Sequence, residues 1–166
     1  MKELHTHPFD PVFDENSRIL ILGSFPSVRS RETGFYYGHP QNRFWRVVAA
    51  VTGEAVPVSV EEKIGLLRRN GIALWDVARE CTVEKSSDAS LGMIAANDIR
   101  SLLSGTGIKA VFCNGKRAFG IYERQISRAA GIAAIPLPST SAANAGISFE
   151  GLIGKWMIIK KYLPTE

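Results

Sequence analysis

The residues equipped for chemistry crowd into Gly23 to Trp45, GSFPSVRSRETGFYYGHPQNRFW, which mixes Ser, Arg, Tyr, His and Asn. Further along, Asp76, Asn114 and Ser139-Thr140-Ser141 each follow a short apolar run. Amides and hydroxyls of this kind hydrogen-bond a neutral heterocycle. Aromatic rings stack on it, and short Ser and Thr side chains suit phosphate oxygens. Other chemistries are disfavoured. No Gly-x-Ser-x-Gly nucleophile elbow occurs, and His39 is the only histidine near these segments, so no nucleophile–base triad can be assembled. Neither a Gly-x-x-x-x-Gly-Lys-Ser/Thr phosphate loop nor a Gly-x-Gly-x-x-Gly dinucleotide loop is present. His5 and His7 have a spacing that can touch a metal, but no His, Cys or Asp cluster completes a site, and no metal is expected. A plainer reading stands beside the functional one: Phe35, Tyr36 and Tyr37 as core aromatics, and His39-Pro40 as a turn.

These residues need a scaffold that brings distant segments to one rim. Arg18 to Leu22, Ile72 to Val77, Ile108 to Cys113 and Ile132 to Leu137 have the length and apolar content of buried strands. Helical patterns separate them. Asn42 is placed to cap a helix through Phe44, Val47, Val48 and Val51, closed by Gly53. Ser59 and Glu62 form a capping box for a second helix, which stops at Asn70-Gly71. Asn97 is expected to cap a short helix through Leu103, and Asn114-Gly115 to turn into a helix over 116–129. A last helix over about 148–162 carries Phe149, Leu152, Ile153, Trp156 and Ile159 on one stripe. Such alternation predicts an α/β fold, a three-layer α/β/α sandwich around a parallel sheet of about four strands. The polar strand ends then share one rim, where ligands of open parallel sheets bind. The chain is expected to be a single domain over 1–166, with residues 1–17 a surface arm and residues 78–90 a polar connection.

At 166 residues, 45% hydrophobic and 22% charged, the composition is that of a soluble globular domain. No apolar run is long enough to span a bilayer and no leader pattern opens the chain, so a cytoplasmic location away from membranes is expected. The net charge of +4 permits a polyanionic partner without requiring one. Two cysteines, Cys81 and Cys113, are too few for a disulfide framework or a four-cysteine cluster, and Cys113 reads as a small buried hydrophobe.

Four segments carry a resemblance over nearly the whole chain: LGSFPSVRSRETGFYYGHPQNRFW, GIALWDV, VFCNGKRAF and LPSTSAANA. In this order they resemble the uracil-DNA glycosylase superfamily, and within it the deoxyinosine (hypoxanthine-DNA) glycosylase branch. The resemblance implies a base-excision repair enzyme, without cofactor, that extrudes a deaminated base from DNA and hydrolyses its N-glycosidic bond. Mismatch-specific members carry Gly-Ile-Asn-Pro-Gly after the first strand, and the Asn positions the attacking water. That position here is Phe25, following Gly23 and Ser24 in the implied base pocket. The base-stacking aromatic falls on Tyr37, and the phosphate-gripping loop on Ser139, Thr140 and Ser141. Ala143 takes the place of the wedge residue. In the deoxyinosine branch Asn42 takes over as the key amide. From the residues themselves, Asn114 and His39 are further candidate donors to the departing base, and Ser27, Arg43 and Lys116 further candidate DNA contacts. The expected partner is DNA containing deaminated bases, engaged by a monomer. Two alternatives remain at this point: a uracil or mismatch-specific glycosylase of the same fold, and a catalytically inactive DNA-binding domain.

Overall fold

The computed structural model describes residues 2–84 and 92–164. Its centre is a parallel sheet of four strands, β2 (Ile19–Gly23), β3 (Ile72–Asp76), β6 (Ala110–Asn114) and β7 (Ala134–Leu137), in the order β3-β2-β6-β7. The chain leaves β2 to reach β3 on one side and later returns to β6 on the other. The order therefore reverses beside β2, and the crevice expected at such a switch point opens at Gly23.

Both faces of the sheet are covered, so β2 is apolar throughout instead of alternating. Ile19 and Ile21 face one helical layer and Leu20 and Leu22 the other, all wholly buried. The first layer contains α2 (Phe44–Thr52), α3 (Val60–Arg69), α7 (Phe149–Trp156) and a 3₁₀ turn over Met157–Tyr162. The second contains α4 (Ile99–Ser104) and α5 (Lys116–Gln125), with the one-turn α6 (Ser127–Ala130) after it. Trp156, fully buried between α7 and α2, gives its indole N–H to Pro138 O at 2.9 Å and so ties this layer to the loop after β7. Burying a large apolar side chain of this kind stabilises by roughly 1.5–3 kcal/mol.

Several boundaries differ from the sequence expectation. The helix expected over 116–129 breaks at Ile126, whose φ of −122° departs from the helical value. The last helix tightens into the 3₁₀ turn after Trp156. Asp98, not Asn97, caps α4, because Asn97 is buried and gives its amide to Asp76 O and Ala78 O. Arg43 occupies the cap position of α2, although Asn42 still takes the Phe44 N–H at 2.9 Å. Cys113 is buried as expected, and burial pushes its thiol up to about 12.

A second sheet was not foreseen. β1 (Lys2–Thr6), β4 (Ala78–Glu84) and β5 (Gly92–Ala96) form an antiparallel sheet in the order β1-β4-β5. Residues 78–84 are thus a strand where a polar connection was expected, and 85–91 lie outside the described residues. The terminal arm is likewise corrected. β1 pairs along β4, Val12 bridges to Leu74, and the His7 side chain is only 2% exposed. Among the described residues no helix is long and apolar enough to cross a membrane.

Candidate functional site

At the carboxyl ends of β2, β3 and β6 lies a cavity of about 330 Å³, in the size range of small-molecule sites, roughly 300–1,000 Å³. The long connection after β2 forms one wall. Within it α1 (Val28–Thr33) is capped by Ser27, whose Oγ accepts the Ser30 N–H at 3.1 Å, and Gly34 ends the helix. The opposite wall is the loop after β7. Ser139 Oγ accepts from Ser141 N at 3.1 Å, and Ser141 Oγ from Ala143 N at 3.2 Å. These two turns present Ser139, Ser141 and exposed Ala143 along the cavity edge. Gly115, with φ +95°, lets this loop approach α5, since a Cβ there would stand 3.2 Å from Ser139 Cβ.

One chain of hydrogen bonds joins the two walls through the sheet. Asn114 Nδ2 donates to Thr140 Oγ at 3.0 Å, and Thr140 N returns a bond to Asn114 Oδ1 at 3.0 Å. The Thr140 hydroxyl then donates to Asn42 Oδ1 at 2.9 Å. Asn42 Oδ1 also holds the Phe44 N–H, so its two lone pairs are occupied. Both of its partners are donors, which fixes the orientation of the amide: Nδ2 is left without a protein partner among the described residues, on a side chain that lines the cavity. Asn42 can therefore present a donor here but no free acceptor.

His39 stands exposed at the cavity edge. Its Nδ1 accepts Gln41 N–H at 3.1 Å, which leaves the proton of the neutral ring on Nε2. Phe25 is a buried wall, touched edge-on by the His7 ring at 5.7 Å and covered by the Arg31 guanidinium at 5.7 Å. Tyr36 turns its hydroxyl away, donating to Asp10 O at 2.9 Å, and its backbone carbonyl takes the Trp45 indole N–H. Tyr37 stacks one ring face on Phe44 at 4.1 Å and holds a left-handed φ of +54°. Its hydroxyl is enclosed and has no hydrogen-bond partner among the described residues. Burial, then the charge of Asp76, hold this phenol well above its ordinary value. The Asn114 amide draws it partly back without reaching hydrogen-bond geometry.

Twelve of the fourteen residues singled out in the sequence line this cavity: Gly23, Ser24, Phe25, Ser27, Tyr37, His39, Asn42, Asn114, Ser139, Thr140, Ser141 and Ala143. Arg43 and Lys116 do not. Lys116 is exposed on the first turn of α5. Arg43, expected to meet phosphate, instead clamps the far wall. Its guanidinium donates to the carbonyls of Ile147 at 2.8 Å, Asn144 at 3.0 Å and Ser141 at 3.4 Å, and its backbone N–H to Thr140 O at 3.0 Å. Thr140 also departs from expectation. It is wholly buried with its hydroxyl committed on both sides, so it is a link between the walls and not a phosphate contact.

The sequence reading placed Asp76 on the rim without giving it a role, and it missed His7. Asp76 lines the cavity with its side chain only 4% exposed, and its Oδ2 accepts from His7 Nε2 at 2.8 Å. An acid at a strand end was a readable signal. The histidine was not, because its partner lies 69 residues away.

The family model described as the uracil DNA glycosylase superfamily matches residues 11–153. A hypoxanthine DNA glycosylase of Methanosarcina acetivorans is 39% identical over 141 residues, covering 84% of this chain and 89% of that protein. One from Methanosarcina barkeri is 39% identical over 138 residues, covering 82% and 86%. Among solved structures, the solution NMR structure of a candidate uracil DNA glycosylase from Methanosarcina acetivorans is similar, with a TM-score of 0.79 and 34% identity. It covers 95% of this chain and 99% of that one. With a parallel sheet of this order, a cavity at its switch point and a match across most of its length, the chain belongs to the uracil DNA glycosylase superfamily.

Proposed function

We infer that this chain is a monofunctional DNA glycosylase that hydrolyses hypoxanthine from deaminated DNA. The observation that carries the reading is the orientation of Asn42: Oδ1 is saturated by Phe44 and Thr140, and Nδ2 is the end left free on a cavity-lining side chain. A donor so held suits a leaving base that gains electron density as the bond to C1′ breaks. The two Methanosarcina relatives named hypoxanthine DNA glycosylase favour the same substrate.

In this mechanism the damaged nucleotide swings out of the helix into the cavity, where aromatic walls contact its faces and polar groups its edges. The N9–C1′ bond breaks with its electrons passing to the base, and the sugar takes on oxocarbenium character. Asn42 Nδ2 and His39 Nε2 donate to the departing base, and water adds to C1′ with loss of a proton. Asn114 acts one step back, as a positioning residue, through its two bonds to Thr140. Tyr37 and Phe25 wall the base, and the backbone of Gly23 and Ser24 borders it. Ser27, Ser139 and Ser141 hold the flanking phosphates, with Ala143 at the duplex edge and Lys116 adding charge nearby. The working unit in this reading is a monomer, single-domain and cytoplasmic.

The test is direct. Labelled oligonucleotides bearing one inosine, uracil or xanthine are incubated with the protein, and abasic sites are then cleaved by alkali. Cleavage at inosine, lost in Asn42→Asp, is the expected result. Cleavage confined to uracil would move the chain to the uracil-specific reading, and no cleavage of any strand would leave DNA binding alone.

A further inference from the structure

A DNA strand laid over this cavity brings a negative charge with every phosphate, and two cations near the rim are already engaged. Arg43 is bonded to three carbonyls of the far wall, and Arg29 faces Glu32 at 3.7 Å. Arg31 differs from both. It lies in the last turn of α1, four residues after Ser27, on the helix side whose Ser27 and Ser30 line the cavity. Its guanidinium sits over the ring of Phe25, 5.7 Å from the centroid, and Phe25 is itself a cavity wall. Its Nε is enclosed without a hydrogen-bond partner, and no carboxylate pairs with it among the described residues. A half-buried cation held with no counter-charge is costly, because water is removed and nothing polar replaces it. The aromatic face beneath it offsets part of that cost but supplies no acceptor.

We propose that Arg31 holds a backbone phosphate of the strand that carries the extruded base, with Phe25 as the platform beneath the guanidinium. The proposal rests on the glycosylase reading above and gives it the cation that Arg43 does not provide. A guanidinium presents its N–H donors in a planar fork that matches two oxygens of one phosphate. Resting on a ring, it has already lost part of its freedom, so less is lost when the anion arrives. The contact carries no sequence information. It sets the register of the strand over the cavity, and it gives Phe25 a second use besides walling the base. The phosphate in turn pins Arg31 against Phe25, so a bound strand stiffens the wall on which the base rests.

The experiment measures binding, by fluorescence anisotropy across a salt series, to a duplex whose inosine carries a 2′-fluorine that blocks cleavage. Parent, Arg31→Gln, Arg31→Lys and Arg31→Met are compared, and each phosphate near the inosine is replaced in turn by a neutral methylphosphonate. Arg31→Gln should bind about tenfold more weakly, the effect of losing one charge-assisted contact. Its slope of log affinity against log salt should be shallower by about 0.9, while Arg31→Lys keeps the parent slope. One methylphosphonate position should weaken the parent by about the same factor and cost Arg31→Gln nothing further, the non-additivity expected of a direct pair. Should Arg31→Gln fail to fold, Arg31→Met, which still covers the Phe25 ring, answers the same question. An unmoved slope in the neutral variants, with a lowered melting temperature, would overturn the proposal and leave Arg31 as a cover for Phe25. So would penalties that add fully at every methylphosphonate position. Excision assays on cleavable inosine, uracil and xanthine strands separate the contact from the reading beneath it. A parent that excises normally, with a slope indifferent to Arg31, sinks the contact alone. A slope that Arg31→Gln makes shallower, in a protein that excises no base, sinks the glycosylase reading and leaves the contact standing.

Discussion

Asn42 Oδ1 accepts the hydroxyl of Thr140 at 2.9 Å, joining the loop before α2 to the loop after β7 across 98 residues of sequence. The bond does more than hold the loops together, since it takes up the second lone pair of Asn42 and thereby sets which end of the amide faces the cavity. Thr140→Val keeps the shape but removes the hydroxyl, leaving Asn114 Nδ2 and Asn42 Oδ1 each short of a partner. Excision should fall by about 10–100-fold with a stability loss of roughly 1–3 kcal/mol. Thr140→Ser should retain both properties. Single-turnover rates and thermal melts on the two variants check this, and an active Thr140→Val would show that Asn42 needs no such anchoring.

Asn42→Asp separates capping from chemistry. The carboxylate still accepts from Phe44 N and Thr140 Oγ, so the protein should melt like the parent. It has no N–H to give, and the loss of one aimed donor typically slows a reaction on the order of 10²–10³-fold. A parent-like rate for Asn42→Asp on inosine DNA would remove the amide from the mechanism.

Arg43 should matter for stability and not for the salt dependence of DNA binding. Replacing it with Gln removes charge-assisted bonds to three loop carbonyls, with a cost of roughly 1.5–3 kcal/mol in thermal or denaturant unfolding. The slope of log affinity against log salt should stay where the parent has it. Were the guanidinium on a phosphate, that slope would become shallower by about 0.9.

Gly23→Ala is expected to fold and to be nearly inactive. The added methyl would press on Asp76 Oδ1 and the Tyr37 hydroxyl, a local overpacking that costs roughly 1–3 kcal/mol. By displacing two side chains of the cavity wall it should also lower excision by about a hundredfold, as happens when geometry near the reacting group is disturbed. Unfolding curves and product assays on the same preparation make the comparison, and full activity in this variant would show that the close packing at Gly23 is not needed for excision.

The sheet and most of the cavity wall were legible because their signals are local. Ile19 to Leu22 is a continuous apolar run, and the polar residues that follow each such run must gather at one rim once the strands are parallel. What could not be read depends on partners far away in sequence. Arg43 sits beside Asn42 and looks like a cation meant for phosphate, yet its acceptors are carbonyls about a hundred residues later. His7 looks like part of a loose arm until β1 is seen paired with β4. That pairing was hidden because β4, Ala78–Glu84, interleaves charged residues with apolar ones and reads as a connection. Asn42 as a cap was right in chemistry and off by one position, which is the usual resolution of a capping signal.

His7 also ties a cavity-lining carboxylate to an edge of the molecule outside the cavity. Among the described residues β1 has a single neighbour, β4, and a strand paired along one side only opens at lower free energy than one paired along both. Each opening that reaches His7 withdraws the partner of Asp76 Oδ2 and leaves an uncompensated carboxylate at the back of the cavity. Under the proposed function, exchange protection of the β1 amides and turnover should rise and fall together with temperature. An amino-terminal fusion that frays this strand would depress catalysis without touching the cavity, and would be mistaken for a poorly active enzyme.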